Sequence, residues 1–239
     1  MGNENGVWIM HGLPASDPNC IRSPQQLEDY IDEVGFLPLF KNEIPGFSVE
    51  EHTQPGYWWS GDCDRDPWEW RGIVAAGDRA AYGKFFNKKA GFISKAWLPY
   101  FINCRRDGYD FDARWEDEKA SYRQKRIMDL FDNDTELFSF ELKELAGFGK
   151  GGEKNFEGVV TELQMELYLC VREFRQRTNK RGEPYGWAIA VYSRPEHLWG
   201  YDHAASAYAE EPSVSRERIL TRLRETYPGT PDKLLKKMI

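Results

Sequence analysis

The sequence predicts an α+β chain, mainly helical, in which a winged helix occupies residues 118–193. Three observations carry that reading. Amphipathic helical patterns recur from residue 118 onward, two β-rich runs at hairpin separation follow them, and the turn between the runs, TNKRGEP, is polar and broken by Gly and Pro. The remaining chain divides into an acidic, Trp-rich amino-terminal domain over 1–115 and a helical extension over 194–239.

Taken in chain order, PQQLEDYIDEV (24–34) predicts a short helix. Pro24 suits its first turn, Leu27, Ile31 and Val34 share one face, and Gly35 suits the position after its end. GFLPLFKNEIPGF, cut by two prolines and two glycines, predicts an ordered, turn-rich connector. Residues 55–72, PGYWWSGDCDRDPWEWRG, hold four tryptophans and four acids and predict a loop or short hairpin. A helix or strand through IVAAGDRAAYGKFF is expected next. In KKAGFISKAWLPYFINCRRDGYDF, Pro99 is expected to limit any helix.

From there the periodicity sharpens. SYRQKRIMDLF (121–131) predicts a moderately amphipathic helix. SFELKELAGFG (139–149) predicts another, with Ser139 as N-cap and Gly147 as stop. In NFEGVVTELQMELYL, Phe156, Val159, Val160, Leu163 and Leu167 fall at helical spacing. YLCVREFRQ and YGWAIAVYS are the two strands of the hairpin. In the tail, Ser215 is expected to cap a helix lined by Ile219, Leu220 and Leu223, and a Pro-Gly break precedes a last short helix.

The chain carries a net charge of −7, yet residues 172–192 hold five basic residues against two acids. Arg172, Arg175, Arg177, Lys180 and Arg181 fall on the hairpin and its tip, where Arg and Lys meet phosphates through charge-assisted hydrogen bonds. A solvated hairpin also carries such residues to discourage edge pairing. Glu157, Thr161, Glu162, Gln164 and Glu166 are expected on the outer face of the preceding helix, which argues against base reading in the major groove. Lys150 and Lys154, with the free N–H groups at that helix start, fit backbone binding better. The partner so indicated is DNA, bound through phosphates with little sequence specificity. Acids greatly outnumber bases over residues 1–82, which weakens any broad non-specific binding and leaves room for a protein partner.

Other function classes find less support. The first twelve residues lack the charged and apolar regions of a signal peptide, and no run approaches the roughly 18 apolar residues of a membrane span. A cytoplasmic protein is therefore expected. Cys20, Cys63, Cys104 and Cys170 show no metal-ligand spacing and are expected as buried free thiols, so no metal or other cofactor is indicated. The stretch from Trp58 to Arg71 invites a catalytic reading, with Asp62, Asp66 and Glu69 as carboxylates and Trp58, Trp59, Trp68, Trp70 and Arg71 as pocket walls. The alternative is a folded loop whose tryptophans enter the core and whose Arg71 pairs with a neighbouring acid.

The runs DPWEWRG, AYGKFFNKKAGFIS, RRDGYDF and YGWAIAVYSRPEHL resemble the AlkZ-related proteins, bacterial relatives of the AlkZ and YcaQ winged-helix DNA glycosylases. The resemblance implies tandem winged-helix units, with a diverged one in residues 1–115, and binding of damaged DNA with metal-independent removal of alkylated or crosslinked bases. It also places the glycosylases' Gln-Φ-Gln or Gln-Φ-Asp triplet just after the first helix. Here that place reads Gly35-Phe36-Leu37-Pro38-Leu39-Phe40, so Pro38 and Phe40 replace both polar residues and the chemistry should be absent. Gln164-Met165-Glu166 has a similar pattern at the wrong place and is expected on a helix surface. Three functions stay open: a catalytically silent, DNA-binding relative; a hydrolase using the 62–69 carboxylates; and a non-enzymatic protein-interaction module.

Overall fold

The computed structural model describes residues 2–4 and 7–239, with side chains from residue 9 onward. Of the amino-terminal stretch read above, Met1, Asn5 and Gly6 lie outside the described residues. A short antiparallel pair, β1 (Gly2–Glu4) and β2 (Val7–Ile9), comes first. Helix α1 (Pro24–Val34) follows as the sequence predicts. Ser23 caps it, accepting the Gln26 N–H at 3.2 Å. Leu27, Ile31 and Val34 are buried, and Gly35 leaves the helix at φ +94. A Cβ there would lie 2.7 Å from the Trp97 ring, so both the turn and the packing require glycine.

The expected connector opens with a strand, β3 (Phe36–Pro38), at the edge of a six-stranded antiparallel sheet. An edge is where a proline, lacking an N–H, is tolerated. The tryptophan stretch is a loop only to Asp66, which caps helix α2 (Pro67–Ala76). Strands β4 (Ala80–Phe86) and β5 (Lys89–Ser94) then form a hairpin. Its two-residue turn holds Asn87 and Lys88 at φ +50 and +64, the left-handed pair a tight hairpin demands. Helix α3 (Leu98–Arg106) follows; Pro99 opens this helix instead of limiting it, because its first turn has no use for the missing N–H.

After α4 (Phe111–Glu116) comes α5 (Tyr122–Met128), started by a capping box between Ser121 and Gln124. Strand β6 (Glu136–Phe138) leads into α6 (Ser139–Leu145), and Ser139 is that helix's first residue, since Phe138 holds the cap position. Helix α7 (Phe156–Met165) buries Phe156, Val159, Val160 and Leu163, then stops short of Leu167, which is buried in a left-handed turn at φ +60. Strands β7 (Cys170–Thr178) and β8 (Pro184–Ser193) form the expected long hairpin. Short helices α8 (Pro195–Trp199) and α9 (Tyr201–Ala204) lead to α10 (Pro212–Thr226) and α11 (Asp232–Lys236). Ser215 lies inside α10, buried, accepting from Asn103 and donating to Glu210; Glu211 takes the cap position.

The sheet order is β3-β5-β4-β7-β8-β6, larger than the hairpin that the sequence predicts. The boundary drawn between residues 115 and 118 runs across this sheet, because Tyr82 of β4 pairs with Val171 of β7. One apolar core runs through both parts, from Leu27 and Phe36 to Leu163 and Leu223. No helix of the described residues is long and apolar enough to cross a membrane.

Candidate nucleic-acid interface

Only the inner half of the β7–β8 hairpin belongs to the sheet. β4 meets β7 at Val171, and β6 meets β8 from Val191 to Ser193. Every residue from Arg175 to Ala188 is exposed, so the outer half projects as a two-stranded ribbon. The five hairpin cations divide accordingly. Arg172 donates to the Ala76 carbonyl at 2.6 Å, tying the ribbon base to the end of α2, where a cation meets unsatisfied carbonyls. Arg175 is held by Glu136 and Glu173, which keep its pKa above the ordinary arginine value. Arg177 lies 4.1 Å from the Phe140 ring centroid. Among the described residues no ion pair involves Arg177, Lys180 or Arg181. Lys150 and Lys154 are also exposed, on the separate loop between α6 and α7.

The expected acidic face of α7 is only partly there. Glu157 and Glu162 are exposed, but Thr161 and Gln164 are buried and Glu166 pairs with Arg114 at 2.6 Å. Gln164, expected on the surface, is 1% exposed because α7 packs on β4. Its Oε1 accepts the Lys84 N–H at 3.0 Å and its Nε2 donates to the Val160 carbonyl at 3.2 Å. Gly83 makes room for that amide; a Cβ there would approach Gln164 Oε1 to 3.1 Å.

The tryptophan stretch does not converge on a carboxylate site. Asp66 is fully buried, and its oxygens accept the backbone N–H groups of Trp59, Gly61 and Trp68 at 3.1, 3.0 and 2.8 Å. Asp62 is exposed, accepts the Asp64 N–H and lies 3.9 Å from Arg65. Trp58 is in the core and donates to Thr53, Trp70 is in the core too, and Trp59 is half exposed.

Trp68, Arg71 and Glu69 line a space that faces the hairpin. Arg71 lies over the Trp68 ring at 3.5 Å and the Phe174 ring at 4.5 Å, joining α2 to β7 instead of pairing with an acid. Two adjoining spaces share Trp68, Arg71 and Phe174. An inner cavity of about 290 Å³ is walled by Phe40, Tyr82, Lys84, Gln164 and Tyr192 besides. An outer groove of about 960 Å³ runs between α2 and the ribbon, lined by Glu69, Ile73 and Trp187 among others. Of the three candidate carboxylates, Glu69 alone lines this groove. Burial pushes the Tyr82 and Tyr192 hydroxyls up to about 12.

Trp187 was not singled out by sequence reasoning. The signal for it was Gly186, since an isolated glycine within a strand pattern marks a bulge. Among the described residues no group of three or more His, Cys, Asp or Glu side chains is arranged to hold a metal ion. The four cysteines are free; Cys20 and Cys170 are buried, whereas Cys63 is exposed in the loop before Asp66, contrary to expectation.

Comparison with known proteins adds one distant relative and one family. The endoribonuclease YbeY of Halorhodospira halophila (strain DSM 244 / SL1) is 26% identical over 140 residues, covering 58% of this chain and 82% of that protein. No solved structure matches. The family model described as "AlkZ related" matches residues 21–239, nearly the whole chain, and the protein belongs to that family.

Proposed function

We propose that this protein is a nucleic-acid-binding member of its family that holds the phosphate backbone of DNA through a winged helix and lacks the glycosylases' polar pair. The observation that carries the reading is the projecting ribbon with Arg177, Lys180 and Arg181 outside any ion pair among the described residues. The strand pairing supports the winged-helix part, whose three helices would be α5, α6 and α7: β6, between α5 and α6, pairs with β8, the outgoing strand of the wing. The surroundings of Pro38 and Phe40 support the loss of chemistry. Pro38 lies in the edge strand opposite Gly91, and Phe40 packs against Trp58 and Trp68. Gln164 lines the same cavity as Phe40, but each end of its amide is already held. Asp66, one of the three carboxylates of the hydrolase reading, is likewise engaged as a helix cap.

Gel-shift assays at about 50 and 200 mM salt, using intact, nicked and branched DNA duplexes, test the reading. An RNA duplex belongs in the panel because the name of the distant relative concerns RNA. The expected result is a shift that weakens steeply with salt, without base release from alkylated DNA. Absence of a salt-sensitive shift with every probe would overturn it.

A further inference from the structure

A tryptophan that is 92% exposed stands at the centre of the ribbon. Folding leaves its apolar face in water, an arrangement that marks a contact site when charge and shape nearby agree. The backbone is built to present it. Between the pairs Arg175↔Ile189 and Arg177↔Tyr185, β7 advances two residues and β8 four, so Gly186, Trp187 and Ala188 bulge from the ladder. Gly186 takes φ +74, and Gln176 Nε2 pins the bulge by donating to its carbonyl at 2.7 Å. Trp187 thereby forms one wall of the groove, and Ile73 and the stacked Trp68–Arg71 pair belong to the same lining.

We propose that this groove receives an unpaired nucleobase, which stacks on Trp187 while its strand runs along the ribbon cations. The proposal rests on the nucleic-acid reading above and names the ligand that the groove takes. Arg177, Lys180 and Arg181 on the ribbon complement a polyanion. Glu69 in the lining offsets the charge of Arg71, so the groove takes a base and the backbone follows the unpaired ribbon cations. A base stacked within a duplex has no free face to offer; an unpaired one does.

The test compares a labelled duplex carrying one bulged nucleotide with its fully paired counterpart, by fluorescence anisotropy at about 50 mM KCl. Base stacking on an aromatic ring predicts tighter binding of the bulged probe by about tenfold. Trp187→Ala should bring the ratio near one and leave the paired-duplex affinity within about twofold, and Trp187→Phe should keep part of the preference. A 2-aminopurine at the bulge should change emission on binding the natural protein and not the alanine variant. The side chain is outside the core, so circular dichroism should be the same for all three proteins. Salt-sensitive duplex binding without preference for the bulge, or a preference that survives Trp187→Ala, would overturn the stacking site and leave the backbone reading standing. Failure of both probes and of single-stranded DNA and RNA to bind would overturn both.

Discussion

The Arg71 guanidinium lies 4.5 Å from the Phe174 ring centroid and so bridges α2 to the base of the projecting ribbon. Burial draws its pKa below the ordinary arginine value, against the pull of Tyr82, Glu69 and Asp66. Each partly desolvated cation–ring contact is worth about 0.5–2 kcal/mol, and here one cation serves two rings. Arg71→Ala should lower the unfolding free energy in urea by about 1–3 kcal/mol, and Arg71→Lys should recover only part, because an ammonium cannot stack as a planar group does. An unchanged urea midpoint in both variants would show that the bridge is incidental.

Asp66 is expected to matter for stability, not for chemistry. Its carboxylate satisfies three backbone donors in a buried place, two of them in the loop before α2. Removing it strands those N–H groups, the helix-capping one of Trp68 among them, so Asp66→Ala should cost roughly 2–4 kcal/mol, with Asp66→Asn closer to half that. Urea titration of both variants checks the order; alanine proving as stable as asparagine would contradict it.

Arg106 and Glu196 form a buried ion pair between α3 and α8, with Arg106 also donating to the Leu167 carbonyl and lying 4.4 Å from the Tyr168 ring. Burial alone would raise the Glu196 carboxyl, but the charge and hydrogen bond of Arg106, with Arg194 beside it, outweigh burial and hold its pKa below the ordinary glutamate value. Folding is therefore stabilised fully above that ordinary value, and the contribution is lost as pH falls through the lower folded value. Glu196→Gln leaves Arg106 buried and uncompensated, which should cost about 3–5 kcal/mol at neutral pH. The gap between the two proteins should narrow in acid. A gap independent of pH would show that the pair is not the source.

Local patterns in the sequence reached far in some places and not in others. Helix α1, the helical trio and the β7–β8 hairpin were legible because each buries one face at its own period. Strand β4 was not, since Ala80-Ala81-Tyr82-Gly83 is buried throughout and shows no alternation, and its partners lie as far away as Val171. The inward turn of Gln164 was present in the spacing, four residues after Val160 on the apolar stripe, but a polar side chain there reads as surface until its partner Lys84 is known. At the candidate site, the ribbon cations were visible from charge alone. That Arg172 and Arg175 are held within the chain was not, because Ala76 and Glu136 are distant in sequence. Trp187 was hidden for another reason: a bulge changes which way a strand residue points, and alternation cannot show it.

The ribbon tip offers the most direct test of the central claim. Each cation that neutralises a phosphate adds about one unit to the slope of log affinity against log salt. Anisotropy titrations of a paired duplex across a salt series should give a steep slope for the natural protein. For Lys180→Glu/Arg181→Glu the slope should be shallower by about two, with the fold intact. Identical slopes for the two proteins, or binding that ignores salt, would contradict the account.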